Sequence, residues 1–317
     1  LIGDNLTPEI ALNIGKAFGA TLVSEQKSEQ KSEQNLAEQN PIVIVGGDTR
    51  TSHDMVKSAV ISGLTAVGVN VIEVGKVTTP TVQQMIREYK AAGGCVITAS
   101  HNPIEWNGIK LMNNTGSFVD DKQYAAFESY YNDQSRIKLA NWETVGQVNT
   151  DHNTLEKHID IILKAIDVTS IQQANLNVLV DPNNGTGCLA DPILLDKLNV
   201  NYTILNKEGN GLFSHRPEPL KENVTQISEE LANGNYDIGF VQDPDADRLV
   251  ILDENGRFIG EDYSLAFCVD YVLAQDQSDQ KRVVVNLSTS NILEWVAKKY
   301  NASITYTKIG ESNVTQA

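Results

Sequence analysis

Short apolar segments and segments of helix length alternate through the first third of the chain. The apolar segments 42–45, 69–74 and 95–97 have the length and composition of buried strands. The segments between them, about 53–67 and about 78–89, have the length of helices, and the second opens on a Thr-Thr-Pro start signal. Such alternation favours a parallel sheet whose strands are joined by crossover helices. The sequence therefore predicts an α/β fold.

A polar loop, TASHNP at residues 98–103, directly follows the predicted strand 95–97. In an open parallel sheet, ligands bind beyond the carboxyl ends of the strands. Ser100 and His101 therefore lie where chemistry is expected. Serine, asparagine and proline are also ordinary turn residues, so this loop taken alone fits a structural role equally well.

A second loop, DPDADR at residues 243–248, follows the strand-like segment 238–241. Asp243, Asp245 and Asp247 repel one another unless a cation lies among them, and oxygen ligands at this density favour Mg²⁺. Arg248 adds a fixed cation suited to phosphate. A solvated acidic turn is the alternative, but the loop lies between two apolar strands. A serine loop together with a magnesium loop indicates phosphoryl transfer through a phosphoserine.

The two loops together resemble the signature loops of the α-D-phosphohexomutases, the phosphomannomutase/phosphoglucomutase and phosphoglucosamine mutase enzymes. The resemblance implies consecutive three-layer α/β/α domains with mainly parallel mixed sheets. It also implies that Ser100 carries the phosphoryl group and joins Asp243, Asp245 and Asp247 in the Mg²⁺ site. The implied reaction moves phosphate between C6 and C1 of a hexose, with hexose 1-phosphate and 6-phosphate as substrates. A hexose 1,6-bisphosphate is the intermediate and the activating phosphoryl donor.

Other side chains complete the predicted site. His101 is expected to orient the phosphoserine or to assist proton transfer. The resemblance favours a catalytic role for Lys110 over an exposed strand lysine. Arg248, Arg50 and Lys308 are expected to bind substrate phosphate. Arg50 has an alternative role, an internal ion pair with Asp48 that fixes the loop after strand 42–45.

Composition limits the class of protein. The 317 residues include 25 Lys and Arg against 41 Asp and Glu, a net charge of −16, which argues against binding a nucleic-acid backbone. We expect neither a membrane span nor a signal peptide. Three cysteines, far apart and inside apolar runs, predict reduced core residues of a cytoplasmic protein. The oligomeric state cannot be read from the sequence.

Three domains are expected. The first covers 1–150 and carries the serine loop, with a solvated, mobile surface insertion of Ser-Glu-Gln-Lys repeats at about 24–40. The second covers 151–254 and carries the metal loop. It also contains a glycine-rich turn at 181–187, which we interpret as structural rather than as a phosphate site. The third, 255–317, is expected to be incomplete.

The chain is shorter than the family pattern. The family's sugar-selecting Glu-x-Ser-Gly-His motif, its fourth domain and its N-terminal arginine segment do not occur, so we expect a fragment with weak mutase activity or mainly slow hydrolysis. A phosphomannomutase/phosphoglucomutase is the favoured interpretation, and phosphoglucosamine mutase is the alternative. A phosphatase using the same serine and metal, or a non-catalytic sugar-phosphate-binding protein, are hypotheses from other classes.

Overall fold

A computed structural model describes residues 1–30 and 40–317 of the chain. The first sheet has five strands in the order β4-β3-β1-β2-β5, and only β4 runs antiparallel to its neighbour. Its strands are β1 (Ile42–Gly47), β2 (Asn70–Lys76), β3 (Gly93–Ile97), β4 (Ile109–Asn113) and β5 (Val148–Thr150). The helices around it are α1 (Pro8–Gln30), α2 (His53–Ala66), α3 (Thr79–Glu88) and α4 (Asp121–Asn132).

The first sheet is covered on both faces. Val43 and Val45 of β1 point to one face, where they share a core with α1, α2 and α4. Ile44, between them, points to the other face and packs with Met85 and Ile86 of α3. A strand that is apolar on both sides is typical of a parallel sheet between two helix layers. This arrangement confirms the predicted three-layer α/β fold.

The second sheet repeats the pattern with four strands in the order β7-β6-β8-β9, of which only β8 and β9 are antiparallel to each other. The strands are β6 (Asn177–Asp181), β7 (Asn201–Ile204), β8 (Ile238–Gln242) and β9 (Leu249–Asp253). The helices are α5 (Thr154–Ala165), α6 (Val168–Ala174), α7 (Gly187–Lys197) and α8 (Thr225–Asn233). Two separate apolar cores lie on the two faces of this sheet.

The last part of the chain forms a parallel pair of strands with three helices. They are α9 (Glu261–Gln275), β10 (Arg282–Asn286), α10 (Ile292–Lys299), β11 (Ser303–Thr307) and α11 (Glu311–Gln316). Each of the three sheets lies within one of the predicted ranges 1–150, 151–254 and 255–317, and the domain boundaries themselves stay a prediction. No helix within 1–30 and 40–317 has the length and apolar character that a membrane span requires.

Two expectations from the sequence need correction. The repeat segment from Ser24 was expected to be a mobile insertion, but α1 continues to Gln30. Glu, Gln and Lys are good helix formers, and extending an existing helix needs no new nucleation. The rest of that predicted insertion, 31–39, lies outside the described residues. The three cysteines are free, but Cys268 is exposed on α9, because an apolar run without clear periodicity does not reveal its buried face.

A buried histidine lies at the start of α2. His53 is 1 % exposed, and neither ring nitrogen has a hydrogen-bond partner among the described residues. Burial, followed by the charge of Lys57, lowers the pKa of His53 to about 4. The positive end of the helix dipole acts in the same direction. The imidazole is therefore neutral in the folded protein.

We predict that His53 makes stability depend on pH. In the unfolded chain the imidazole binds a proton below its ordinary pKa of 6.5. The contribution of the neutral His53 to the free energy of unfolding is therefore fully present above that pH and is lost as the pH falls towards about 4. As the pH is lowered through this range, the free energy of unfolding of the wild type should fall by about 3 kcal/mol more than that of His53→Leu. Urea denaturation at several pH values measures this difference. His152→Leu, at an exposed histidine, is the control. An H53L curve parallel to the wild-type curve would contradict the prediction.

Candidate active site

The serine loop leaves β3 at the carboxyl end of the first sheet. The Ser100 backbone adopts a left-handed conformation with φ of 49°, and its N–H donates to Thr98 Oγ1 at 2.8 Å. A left-handed serine is uncommon, and such strain persists only where the surrounding structure holds it. The strained backbone therefore points to a loop that is fixed by contacts from elsewhere.

Arg50 supplies these contacts. Its guanidinium is fully buried beneath the loop, and each of its five N–H groups has an acceptor. The acceptors are Asp48 Oδ2 at 3.0 Å, Ser100 O at 2.6 Å, Asn102 O at 2.7 Å, Pro103 O at 2.6 Å and Trp106 O at 3.0 Å. The structure therefore corrects the assignment of Arg50 to substrate phosphate. It favours the alternative role, the internal ion pair with Asp48, and adds a contact that was not predicted, with the carbonyls of the serine loop.

Asp48 completes this anchor. Its carboxylate is fully buried and also accepts a hydrogen bond from Thr98 Oγ1 at 2.7 Å. Burial raises the pKa of Asp48 to about 6, although the charge of Arg50 opposes the shift. Removing either partner would leave a charge without compensation in the core, which costs several kcal/mol.

The second domain packs directly on this anchor. Thr49 Oγ1 donates to the carbonyl of Asn184 at 2.8 Å, and the Phe213 ring centre lies 4.9 Å from the Arg50 guanidinium carbon. Gly211 has φ of 71°, and a methyl group there would lie 2.2 Å from the Thr49 carbonyl oxygen. Only glycine allows the two backbones to approach so closely. The first two domains are thus joined beside the serine loop.

The acidic loop between β8 and β9 meets Ser100 at this junction. Ser100 Oγ donates to Asp243 Oδ2 at 2.7 Å, although the two residues are 143 positions apart. Asp243, Asp245 and Asp247 each offer one oxygen to a group whose atoms all lie within 4.8 Å of one another. Ala246, between the second and third of these carboxylates, has φ of 53°, a left-handed conformation. The structure therefore brings together the two loops that the sequence singled out.

The charges in this group are unequal. Burial, together with the negative charges of Asp245 and Asp247, raises the pKa of Asp243 well above its ordinary range. Burial acts the same way on Asp245, but the charge of Lys110 together with hydrogen bonds from Lys110 and Thr79 outweighs it, so the pKa of Asp245 is lowered. Lys110 Nζ donates to Asp245 Oδ2 at 2.7 Å and to Asp247 Oδ2 at 2.8 Å. Lys110 is thus a half-buried cation shared by two carboxylates.

The donor set fits a hard divalent cation. Three carboxylates supply only oxygen, and oxygen ligands are what Mg²⁺ prefers. Asp245 Oδ1 is buried without a hydrogen-bond partner in the described part of the chain. A buried carboxylate oxygen without a partner is costly, and a bound cation would satisfy it. Asp243, Asp245 and Asp247 are therefore a suitable magnesium site, with Ser100 at its edge.

Thr79 is a site residue that the sequence analysis missed. Its Oγ1 donates to Asp245 Oδ2 at 2.6 Å, and its N–H donates to the Asp245 carbonyl at 2.9 Å. Thr78 caps α3 by accepting from the N–H of Thr81 at 3.1 Å, so the positive end of the helix faces the acidic loop. The Thr-Thr-Pro signal identified the start of the helix, but not the partner of that helix end.

The remaining predicted residues differ in placement. His101 Nδ1 lies 3.4 Å from Ser100 Oγ, and burial followed by the charge of Arg248 lowers its pKa. The Arg248 guanidinium forms an ion pair with Glu218 at 3.4 Å, and the backbone N–H of Arg248 donates to Asp243 Oδ1 at 3.0 Å. Lys308 is exposed after β11. Its side chain makes no hydrogen bond or ion pair with the described residues, so the structure does not bring it into the site.

The glycine-rich turn before α7 supports the metal loop. Thr186 N–H and Oγ1 both donate to the Pro244 carbonyl, at 2.8 and 3.0 Å. A methyl group at Gly185 would lie 2.6 Å from Pro244 Cα, so this turn needs glycine for the close approach. These contacts agree with the structural interpretation of the turn.

The fold and the paired loops define a protein of the phosphohexomutase class. Family profiles match residues 1–138, 156–256 and 260–317, described as phosphoglucomutase/phosphomannomutase alpha/beta/alpha domains I, II and III. The chain belongs to the phosphoglucomutase/phosphomannomutase family. The resemblance to the α-D-phosphohexomutases is thereby confirmed.

Individual relatives give the same result. A phosphoglucomutase/phosphomannomutase of Thermococcus kodakarensis is 37 % identical over 318 residues, covering 100 % of this chain and 66 % of the relative. A probable phosphoglucosamine mutase of Pyrococcus abyssi is 32 % identical over 316 residues, which cover 100 % of this chain and 65 % of the relative. The chain thus spans about two thirds of the length of these curated relatives.

A solved structure supports the fold. A phosphoglucomutase/phosphomannomutase family protein of Burkholderia thailandensis superposes with a TM-score of 0.83, covering 99 % of this chain and 65 % of that protein, at 23 % identity. At this identity the likeness bears on the fold alone.

We predict that Arg50→Lys loosens the serine loop. Lysine keeps the charge but has three donors instead of five, so loop carbonyls lose their partners. The free energy of unfolding should fall by about 3 kcal/mol. Amide hydrogen exchange across 98–106 should accelerate. Arg87→Lys is the matched control, because among the described residues the Arg87 side chain makes one hydrogen bond, from Nε to the Thr115 carbonyl at 2.7 Å. Unchanged exchange in R50K would refute the role of Arg50 as an anchor.

We also predict that Lys110 competes with the metal. Replacing Lys110 by Gln removes the cation that two of the three carboxylates share, so Mg²⁺ affinity should rise by about tenfold. Isothermal titration calorimetry measures this directly. Lys122→Gln, at an exposed lysine of α4, is the control. Weaker Mg²⁺ binding in K110Q would show that Lys110 assists the metal rather than opposing it.

Proposed function

We propose that this chain contains the phosphoserine and metal centres of a phosphohexomutase, which moves phosphate between C1 and C6 of a hexose. The observation that carries the proposal is the 2.7 Å contact between Ser100 Oγ and Asp243 Oδ2, at a junction of two domains. A hydroxyl on three clustered carboxylates suits a phosphoryl group bound through a divalent cation. The hexose 1- and 6-phosphates are the proposed substrates, and a hexose 1,6-bisphosphate is the proposed intermediate.

In the proposed first step, the phosphoryl group leaves Ser100 for the free hydroxyl of the hexose monophosphate. The bond between Ser100 Oγ and phosphorus breaks, a bond from the sugar oxygen to phosphorus forms, and the sugar hydroxyl loses its proton. His101 is the proposed carrier of this proton, because its lowered pKa favours the neutral imidazole. It passes the proton to the departing Ser100 Oγ, which lies 3.4 Å from its Nδ1. The second step reverses these changes at the other phosphate of the bisphosphate, which returns a phosphoryl group to Ser100.

The side chains around Ser100 have different proposed roles in binding the phosphoryl group. Asp243, Asp245 and Asp247 would hold Mg²⁺, which when bound neutralises charge on the phosphoryl oxygens. Lys110 and Arg248 add positive charge beside the transferred group. Arg50 acts at a distance by fixing the loop that presents Ser100. Thr79 and the start of α3 fix Asp245 in the same way.

The identity of the hexose has two candidates. The Thermococcus kodakarensis relative, 37 % identical, is named for glucose and mannose phosphates. Several relatives at 32 to 33 % identity are named probable phosphoglucosamine mutases, including those of Methanopyrus kandleri and Methanosarcina barkeri. We favour phosphomannomutase/phosphoglucomutase activity because the relative with that name has the higher sequence identity. Phosphoglucosamine mutase activity is the second candidate because several relatives carry that name.

We predict that interconversion of hexose 1-phosphate and 6-phosphate depends on Ser100. With Mg²⁺ and catalytic hexose 1,6-bisphosphate, ³¹P NMR should show conversion of glucose, mannose or glucosamine phosphate by the 317-residue chain. Ser100→Ala should abolish it, because no oxygen remains to carry the phosphoryl group. Ser62→Ala, on the exposed side of α2, is the control. Release of inorganic phosphate that does not depend on the hexose bisphosphate, without interconversion, would favour a phosphatase instead.

A further inference from the structure

Two buried oxygens without partners lie at the base of the metal loop. Asp191 of α7 is 8 % exposed, and its Oδ1 accepts a hydrogen bond from Gln242 Nε2 at 3.2 Å. The other oxygen of each group, Asp191 Oδ2 and Gln242 Oε1, has no partner in the part of the chain that the structure describes. Each buried acceptor left in this state costs about 1–3 kcal/mol.

The two oxygens converge on the same small space. A methyl group added at Gly187 would lie 2.0 Å from Gln242 Oε1 and 2.8 Å from Asp191 Oδ2, with Pro182 Cβ on the third side at 2.7 Å. Only the absence of a side chain at Gly187 lets both groups fit there. Two acceptors that face each other in a buried space repel unless a proton lies between them.

We propose that Asp191 carries a proton below neutral pH and donates it from Oδ2 to Gln242 Oε1, which closes a two-bond acid–amide ring. Rotating the Gln242 amide by half a turn does not remove the need for this proton. An amide offers one nitrogen and one oxygen, so one carboxyl oxygen of Asp191 always faces an acceptor. The ring forms without any added group, because the second hydrogen bond uses the proton of the neutral acid.

The surroundings of Asp191 agree with a neutral acid. Burial raises the pKa of Asp191 to about 7, and no cation forms an ion pair with it among the described residues. Cys188, on the same helix, is the titratable neighbour, and the charge of Asp191 adds to the burial that raises the pKa of its thiol. From β8 the facing group is the Gln242 amide, which is uncharged at any pH.

Asp191 is therefore a positioning residue for the metal loop. Gln242 is the last residue of β8 and directly precedes Asp243, so the ring fixes the point at which the loop leaves the sheet. Thr186, at the other side of the turn into α7, already holds the Pro244 carbonyl. Loss of the proton would break the ring and release the point at which the loop leaves the sheet. The negative charge that it adds attracts Mg²⁺ and therefore offsets only part of the loss in affinity. The effect on metal binding rests on the proposed function of that cluster, but the protonation state does not.

Carboxyl ¹³C NMR of the full chain tests the protonation directly. The Asp191 resonance is assigned by its loss in Asp191→Asn. We expect the shift of a neutral acid at about pH 6 and a change to the ionised shift on titration through about pH 7. An ionised carboxylate at about pH 6 would overturn the proposal, and a water or cation between the two oxygens would give that result.

Mg²⁺ affinity tests the positioning role. Asp191→Asn can form the same ring as an amide pair that does not titrate, so it should bind Mg²⁺ within about twofold of wild type at about pH 6. Between about pH 6 and about pH 9 the wild type should lose several-fold in affinity relative to D191N. Asp191→Leu cannot form the ring and should bind about tenfold more weakly at both values. Equal affinities for all three proteins would overturn the role, even if the NMR result stands.

Discussion

The site depends on one buried guanidinium. Arg50 lies under a loop whose carbonyl oxygens point inwards, and without a donor these oxygens would be buried and unpaired. A planar group with five N–H donors satisfies them together and fixes the left-handed Ser100. The negative charge of Asp48 compensates the cation. The position of Ser100 is therefore fixed by a buried contact beneath the loop.

A second constraint is the repulsion among the carboxylates of the acidic loop. The second domain supplies all three carboxylates, whereas Ser100, Thr79 and Lys110 of the first domain supply the hydrogen bonds that stabilise them. Neither domain holds the complete site by itself. The close backbone contact at Gly211 and the hydrogen bond from Thr49 to Asn184 hold the first and second domains together beside the site. This division explains why two loops far apart in sequence act as one centre.

The sequence was informative where local pattern determines the result. Apolar runs and helix starts predicted the three central strands of the first sheet and β8 of the second. The two polar loops predicted that Ser100 and the acidic cluster follow strand ends. Contacts between distant segments were not predictable. Whether Arg50 binds a phosphate or the loop carbonyls depends on how the serine loop folds over it. The hydrogen bond from Thr79 to Asp245 joins two domains, so neither segment alone indicates it. The unpartnered His53 and the pair of Asp191 with Gln242 depend on burial, which spacing along the chain does not reveal.

The central claim is that Ser100 carries a phosphoryl group at the meeting point of the two loops. Intact-protein mass spectrometry of the freshly purified chain, with peptide mapping of 98–110, tests it most directly. The account predicts one added phosphate on Ser100 after treatment with hexose 1,6-bisphosphate and Mg²⁺, and its loss on addition of hexose monophosphate. A chain that takes up no phosphate under these conditions, or takes it up at another residue, would contradict the account and favour a sugar-phosphate-binding role.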